Sequence, residues 1–229
     1  MQLRLPLPRR KKHAGGRPPK GPRSSERHET RAAFKPSQPI HVTIRTTPAI
    51  GALRTRDKYR AIREALITSF VRERIRVVHV SIQRTHVHLL VEANDRMALA
   101  RGMQGFQISA ARHLNRAADH RGTVFPDRYH ATIIRSRRQA RHALAYVLNN
   151  WRRHGEHRNG LARRWLVDPF SSGATFPGWR ELADRDTFWP LRASYQPLPV
   201  WLPKTWLLAE GWKRYGLIGA REVPKIVRS

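Results

Sequence analysis

The 229-residue chain carries 45 lysines and arginines against 16 aspartates and glutamates, which gives a formal net charge of +29. An apolar content of 40% predicts one well-buried domain with extensions and argues against a second large core. Cysteine is absent, which excludes disulfides, thiolate metal sites and a cysteine nucleophile. The apolar runs are no longer than a strand, so the sequence predicts neither a membrane span nor a signal peptide.

Residues 1–37 are rich in Lys, Arg, Gly, Pro and Ser and have little apolar material to bury. This composition predicts a disordered basic tail. Arginine dominates the charge of the rest of the chain as well. Because a guanidinium that meets a phosphate forms charge-assisted hydrogen bonds and releases a counterion, the excess predicts a polyanionic partner. Nucleic acid is therefore the expected partner.

Hydrophobic periodicity predicts alternating strands and helices between residues 38 and 155. In chain order these are a strand over 40–46, a helix over 56–71, strands over 76–82 and 86–91, a helix from a cap at Asn94 or Asp95 to 118, a strand over 128–135 and a helix over 137–155. The first six match a ferredoxin-like (RRM-like) α+β unit, in which a four-stranded antiparallel sheet carries two helices on one face. The last is an additional C-terminal helix.

Strand alternation predicts which side chains face the two helices and which lie on the other face of the sheet. In the second strand, Val78, Val80 and Ile82 are expected to point inward. The polar side chains of the first three strands are expected to share an open face, on which the site would lie: His41, Thr43, His79, Ser81, His86 and His88.

Two segments bring unusual side chains toward that open face. In "THVHLLV" His86 and His88 point the same way, because they flank a single valine on a strand. On the last helix His142, Tyr146 and Asn150 recur every four residues, opposite an apolar stripe. If that stripe docks on the domain, Tyr146 and Asn150 can project together over the histidines.

Residues 156–229 form a Trp- and Pro-rich extension in which a short helix is predicted over 204–215. Its aromatic side chains are expected to pack on the core, and stacking on unpaired bases is the alternative use.

The stretches "THVHLLV", "RGMQGF", "GTVFPDRYHA" and "ALAYVLNNWRRHG", in this order and spacing, resemble the HUH single-tyrosine transposases, particularly the REP-associated tyrosine transposases. The resemblance covers residues 38–155. It implies metal-dependent cleavage and rejoining of single-stranded DNA at hairpin-forming palindromic repeats, which is DNA transposition. We expect a bacterial, nucleoid-associated enzyme, and the lack of a predicted membrane span or signal peptide indicates the cytoplasm. The oligomeric state is open, with a monomer slightly favoured over a dimer.

By the same resemblance His86 and His88 correspond to the paired metal-binding histidines and Tyr146 to the nucleophile, which forms a 5′-phosphotyrosine. Asn150 corresponds to the third ligand of a Mg²⁺ or Mn²⁺ ion. Many relatives have Asn-Pro at this point, where this chain has Asn149-Asn150-Trp151, so Asn149 stays an alternative although the four-residue spacing favours Asn150.

The chemistry of phosphodiester cleavage supports a metal independently of the resemblance. A tyrosine hydroxyl with a pKa of about 10 is a weak nucleophile, so the phosphate must be made electrophilic and its charge neutralised. A divalent ion held by two imidazoles and an amide oxygen does both. The candidate phosphate contacts are Arg45, Arg128 and Arg135.

Two other functions are open on the sequence alone. His41 with Thr43, and His79 with Ser81, each fit the His-x-Thr/Ser pattern of metal-free two-histidine phosphoesterases. A nonenzymatic RRM-like nucleic-acid-binding protein would use the same sheet, but such modules expose stacking aromatics where this sheet has His, Thr, Ser and Arg.

Overall fold

The computed structural model describes residues 32–70, 75–182 and 194–224, so most of the predicted basic tail lies outside the described residues. The strands are β1 (Ile40–Arg45), β2 (Ile75–Ile82), β3 (His86–Ala93) and β4 (His130–Ile133), and the α-helices are α1 (Arg56–Phe70), α2 (Arg96–Ala117), α3 (Arg137–Arg153) and α4 (Trp206–Ala209). Short 3-10 helices span Pro48–Ile50, Glu156–Arg158, Gly160–Arg164, Ser172–Thr175, Arg180–Leu182 and Gly211–Tyr215. Within these ranges no helix combines the length and apolar character needed to cross a membrane.

The four strands form one antiparallel sheet in the order β2-β3-β1-β4. Helices α1 and α2 pack on one face, where Ile62 and Leu66 of α1 meet Met103 and Phe106 of α2 in a continuous buried cluster. The predicted α+β, ferredoxin-like arrangement is confirmed, with β1 and β3 as the central pair.

Local chemistry fixes where the long helices begin and how closely they pack. Asp95, one of the two predicted caps, accepts a hydrogen bond from the backbone N–H of Ala98 at 2.7 Å, and Ser136 accepts one from Gln139 at the start of α3. A side chain at Gly102 would lie 2.4 Å from Ile75. Glycine at this position therefore lets α2 lie directly against β2.

The prediction that Val78 points toward α1 and α2 is wrong. The register shifts between Val77, which pairs with Val91, and His79, which pairs with Leu90. This bulge adds one residue to β2, so Val77 takes the inward position and Val78 packs on the other face with Leu90. Simple alternation cannot anticipate the extra residue.

The prediction that this face of the sheet is open is also wrong for much of its area, because α3 and the extension cover it. Leu144 and Leu148 of α3 join Val78 and Leu90 in a second buried cluster. Three tryptophans complete the packing and are at most 1% exposed: Trp151, Trp179 and Trp212. For these three side chains, packing rather than base stacking is the observed use.

The predicted helix over 204–215 is split into α4 and a 3-10 helix. The backbone leaves the helical conformation at Glu210, and Gly211 lies under the ring of Trp206, where a Cβ atom would approach to 2.7 Å. Close packing of that ring on the chain interrupts the helix.

Buried polar contacts tie the described part of the extension to the sheet. Asp168 accepts two hydrogen bonds from Arg54, at 2.8 and 2.9 Å. The buried carboxylate of Glu92 accepts the backbone N–H groups of Lys204 and Thr205. Since unpaired buried carboxylates are costly, these contacts fix the path of the extension across the sheet.

Candidate active site

Strand pairing gathers the polar side chains of the central strands into rows. Thr43 pairs with His88 on one side and with His130 on the other, and Ser81 continues this row on β2. In the next row Arg45 pairs with His86. Directly paired residues lie on the same face of a sheet, so His86 and His88 both face α3.

The imidazoles of β1 and β3 are in direct contact. Nε2 of His86 lies 2.9 Å from Nε2 of His88. Nδ1 of His88 lies 3.1 Å from both Thr43 Oγ1 and His41 Nε2. If both Nε2 atoms bind one cation, the proton of His88 must remain on Nδ1, where Thr43 and His41 can accept it. These two residues therefore orient the His88 ring.

Helix α3 brings its own polar side chains over these rings at four-residue intervals. The ring centroid of Tyr146 lies 5.2 Å from that of His88 and 5.6 Å from that of His41. His154, which caps the helix, has its ring centroid 5.8 Å from that of His86. Asn150 lies one turn from each, between Tyr146 and His154 on the same side of α3.

Asn149 and Asn150, both fully buried, differ in their partners. Asn149 donates its amide N–H to the carbonyl of Gly219 at 2.9 Å. Among the described residues, neither polar atom of the Asn150 side chain has a hydrogen-bond partner, and the Oδ1 atom of Asn149 has none either. A buried amide without a partner is costly, which favours a bound group that contacts it. The helical spacing still favours Asn150, because it lies four residues after Tyr146 and Asn149 does not.

Burial keeps the imidazoles neutral at physiological pH. Burial, with positive charge from His130 and His86, lowers the pKa of His41 to about 4. Burial, with His154 and Arg45, lowers the pKa of His86 to about 4. The same effects lower the pKa of His88 well below its usual value. Neutral imidazole is the form that binds metal ions.

These residues fit a divalent cation. Two ligands roughly 2.1 Å from one ion and at right angles to each other are about 3 Å apart, as the Nε2 atoms of His86 and His88 are. Across the described ranges, no three His, Cys, Asp or Glu side chains are arranged to hold a metal ion. A third protein ligand in this part of the chain would have to be of another type, and the amide oxygen of Asn150 is one candidate.

The three arginines predicted as phosphate contacts are exposed but lie at different places. Arg45 pairs with His86 and so lies beside the candidate metal ligands. Arg135 lies two residues after the end of β4, and its backbone N–H donates to the side-chain oxygen of Gln139. Arg128 is elsewhere, on the wall of a cleft next to α2.

Sequence reasoning missed the contributions of His154 and His130. His154 continues the four-residue series of Tyr146 and Asn150, so the helical period could have identified it. His130 is exposed and lies on the same face as Thr43, with which it pairs. Predicting that His130 lies beside Thr43 would have required knowledge of the register between β1 and β4.

The motifs of the two-histidine phosphoesterase alternative are not brought together. His41 and His79 each pair with Leu90, so a strand separates them. His79 is buried, and its Nδ1 lies 3.2 Å from Ser172 Oγ. The RRM-like alternative loses its stacking surface as well, because α3 covers the central strands.

Residues 37–150 match the family model of IS200-like transposases. The chain belongs to this family. Transposases of this family are DNA-cleaving enzymes, which agrees with the polyanionic partner that the charge predicts.

Two solved structures are similar to the transposase. One is a REP-associated tyrosine transposase bound to a REP hairpin, with 18% identity, 74% of this chain and 96% of that chain covered, and a TM-score of 0.52. At that identity the likeness shows the fold alone. The other is a putative transposase from Deinococcus radiodurans, with 12% identity, coverage of 60% and 99%, and a TM-score of 0.37, too low to carry an argument. No curated protein matches the sequence.

The buried His79 predicts that acid destabilises the transposase. Burial lowers the pKa of His79 to about 3, whereas 6.5 is its ordinary value. Below about pH 6.5, His79 binds a proton in the unfolded chain but not in the folded protein. Its contribution to the free energy of unfolding is therefore complete above that pH and is lost as the pH falls toward 3. Each pKa unit corresponds to about 1.4 kcal/mol.

Urea unfolding of the wild type and of His79→Gln, at neutral pH and at about pH 4.5, measures this effect. The variant is expected to lose about 2–3 kcal/mol less stability on acidification than the wild type. Equal losses in the two proteins would show that His79 is protonated alike in both states.

Proposed function

We propose that this transposase cleaves and rejoins single-stranded DNA through a 5′-phosphotyrosine on Tyr146, with a Mg²⁺ or Mn²⁺ ion held by His86, His88 and Asn150. The observation that carries the proposal is the convergence of three features in one place. Two neutral imidazole nitrogens lie 2.9 Å apart, a tyrosine ring lies against one of the two imidazoles, and a buried amide one helical turn after that tyrosine has no partner among the described residues.

The reaction exchanges one phosphodiester bond for another. The Tyr146 hydroxyl loses its proton and its oxygen attacks the scissile phosphorus, while the bond from phosphorus to the 3′ oxygen breaks and that oxygen takes up a proton. When bound, the divalent ion neutralises charge on the phosphate and makes its phosphorus more electrophilic. Attack by a 3′-hydroxyl of another strand reverses the step, so joining requires no nucleotide triphosphate.

The surrounding residues prepare this site for an anionic strand. Thr43 and His41 hold the His88 ring through Nδ1, which leaves Nε2 free to bind the ion. Arg45, exposed beside His86, is positioned to contact a phosphate that enters from solvent. Tyr146 is half-buried and packs against the edge of the second buried cluster.

The substrate that we propose is a single strand next to a hairpin formed by a palindromic repeat. The similar REP-associated transposase is bound to a REP hairpin, and a small site under one helix favours a flexible strand over a stacked duplex. Because one chain supplies Tyr146 and both histidines, a monomer is sufficient for cleavage. We propose that it acts on DNA of the nucleoid, in the cytoplasm of a bacterium.

End-labelled oligonucleotides that carry a hairpin and a single-stranded flank test this substrate form. With Mn²⁺ present, the transposase is expected to cleave within the unpaired flank and to leave a blunt duplex of the same sequence intact, since a phosphate in stacked duplex cannot reach Tyr146. Equal rates on duplex and single strand would contradict the proposal. So would equal cleavage of the corresponding RNA.

A further inference from the structure

A second recessed site lies on the α2 side of the sheet, away from the histidines. It is a cleft of about 570 Å³ between α2 and the loop that precedes β4. Six side chains form most of its walls, namely Gln104, Gln107 and Ile108 from α2 and Thr123, Phe125 and Arg128 from the loop. The described residues that line it include no carboxylate, so the cleft suits a neutral or anionic ligand.

Three polar side chains of this cleft form no bond to the rest of the described chain. Gln104 and Arg128 are exposed and Gln107 is half-buried, and none of the three side chains bonds to another described residue. A glutamine amide presents a donor and an acceptor side by side, the pattern that pairs with the edge of an adenine base. Phe125, half-buried, and Ile108, 46% exposed, offer apolar contact to a base.

The loop side of the cleft is held in place before any ligand binds. The backbone N–H of Thr47 donates to the carbonyl of Val124 at 2.8 Å, and its hydroxyl donates to the carbonyl of Thr123 at 3.2 Å. Asn115 of α2 donates its amide N–H to Gly122 at 3.0 Å. A cleft whose walls are already fixed costs little ordering on binding, which favours a specific ligand.

The cleft and the histidine face are joined by the edge of β4. His130 and Thr132 are exposed on the histidine face, where they pair with Thr43 and His41, and Arg128 lies two residues before His130. A single strand of DNA that crosses this edge of the sheet therefore runs from the site of Tyr146 to the mouth of the cleft. Two exposed cations, Arg101 and Arg112, add positive charge to α2, the helix that forms one wall of the cleft.

We propose that this cleft binds one unpaired base of the substrate strand, with Gln104 and Gln107 bonding to the edge of the base and Arg128 to the adjoining phosphate. The inference rests on the proposed action on single strands, because only an unpaired base can leave the stack and enter a pocket. Such a contact would make the transposase prefer a particular base at a position away from the phosphodiester bond that it breaks.

A double-mutant cycle on uncleaved DNA tests the cleft. The probe is a fluorescent hairpin oligonucleotide whose unpaired nucleotides are replaced one at a time by abasic sites, and Kd is measured in EDTA so that no strand is cut. For the wild type, one abasic position is expected to weaken binding roughly tenfold, the size of one lost base contact. For the double variant Gln104→Ala/Gln107→Ala, the same abasic site should not raise Kd further, because the side chains that contact the base have already been removed.

The control is Gln196→Ala, an exposed glutamine of the extension, which should keep the full effect of the abasic site. An equal cost of every abasic position in the wild type and in Gln104→Ala/Gln107→Ala would overturn the inference. Binding in EDTA does not depend on catalysis, so loss of this coupling with intact cleavage refutes the cleft alone. Coupling without cleavage by Mn²⁺-loaded protein would refute the proposed reaction and leave the cleft standing.

Discussion

Tyr146→Phe is expected to abolish strand cleavage while leaving the fold and the affinity for DNA nearly unchanged. The substitution removes one hydroxyl and little volume, and the aromatic contacts with His41 and His88 can persist. Without that oxygen no phosphotyrosine can form, so the loss should appear in the rate of cleavage and not in binding. Cleavage of a labelled hairpin oligonucleotide and its Kd, measured on the same preparation, separate the two.

Tyr215→Phe provides a matched control, because this tyrosine is 50% exposed and lies in the 3-10 helix after α4. It should cleave like the wild type. Normal cleavage by Tyr146→Phe would show that another group attacks the phosphate, even though the chain keeps the fold of its family.

Replacing both His86 and His88 by alanine is expected to remove divalent-dependent cleavage and to leave salt-sensitive DNA binding largely intact. The two imidazoles supply the nitrogen ligands of the proposed ion, whereas affinity for DNA comes from arginines distributed over the surface. Cleavage across a Mn²⁺ titration and Kd at two salt concentrations check the two halves of the prediction. Cleavage that continues undiminished in EDTA would contradict a metal role.

Single variants of the two asparagines serve as controls for the metal site. Asn150→Ala should raise the Mn²⁺ concentration needed for half-maximal cleavage, because it removes the amide oxygen proposed as the third ligand. Asn149→Ala breaks the bond to Gly219 and should cost about 1–3 kcal/mol of unfolding free energy without moving that concentration. The opposite pattern would assign the third ligand to Asn149.

The parts of the site that the sequence predicts are those set by local periodicity. His86 and His88 share a face because a strand alternates, and Tyr146 and Asn150 share a side of α3 because a helix repeats every 3.6 residues. These periods hold whatever the rest of the chain does. The order of elements likewise determines the sheet, since only a few topologies accommodate it.

What the sequence does not predict depends on long-range packing. His79 and Ser81 have the same local pattern as His86 and His88, yet the segment around Ser172 seals them beneath the extension. That segment consists of short 3-10 helices and tryptophans without a period, so no repeat in the sequence shows where it lies. The bulge at Val78 is a similar case, because an extra residue in a strand is decided by its partners.

The most direct measurement of the central claim is to locate the covalent bond between protein and DNA. Wild-type transposase is incubated with the hairpin oligonucleotide and Mn²⁺, denatured, digested with trypsin and examined by mass spectrometry. The chain has five tyrosines, and cleavage after Arg141 and Arg152 releases a peptide in which Tyr146 is the single one. The proposed mechanism predicts a DNA fragment joined through its 5′ phosphate to this peptide. An adduct on another peptide, or cleaved DNA with no adduct at all, would contradict it.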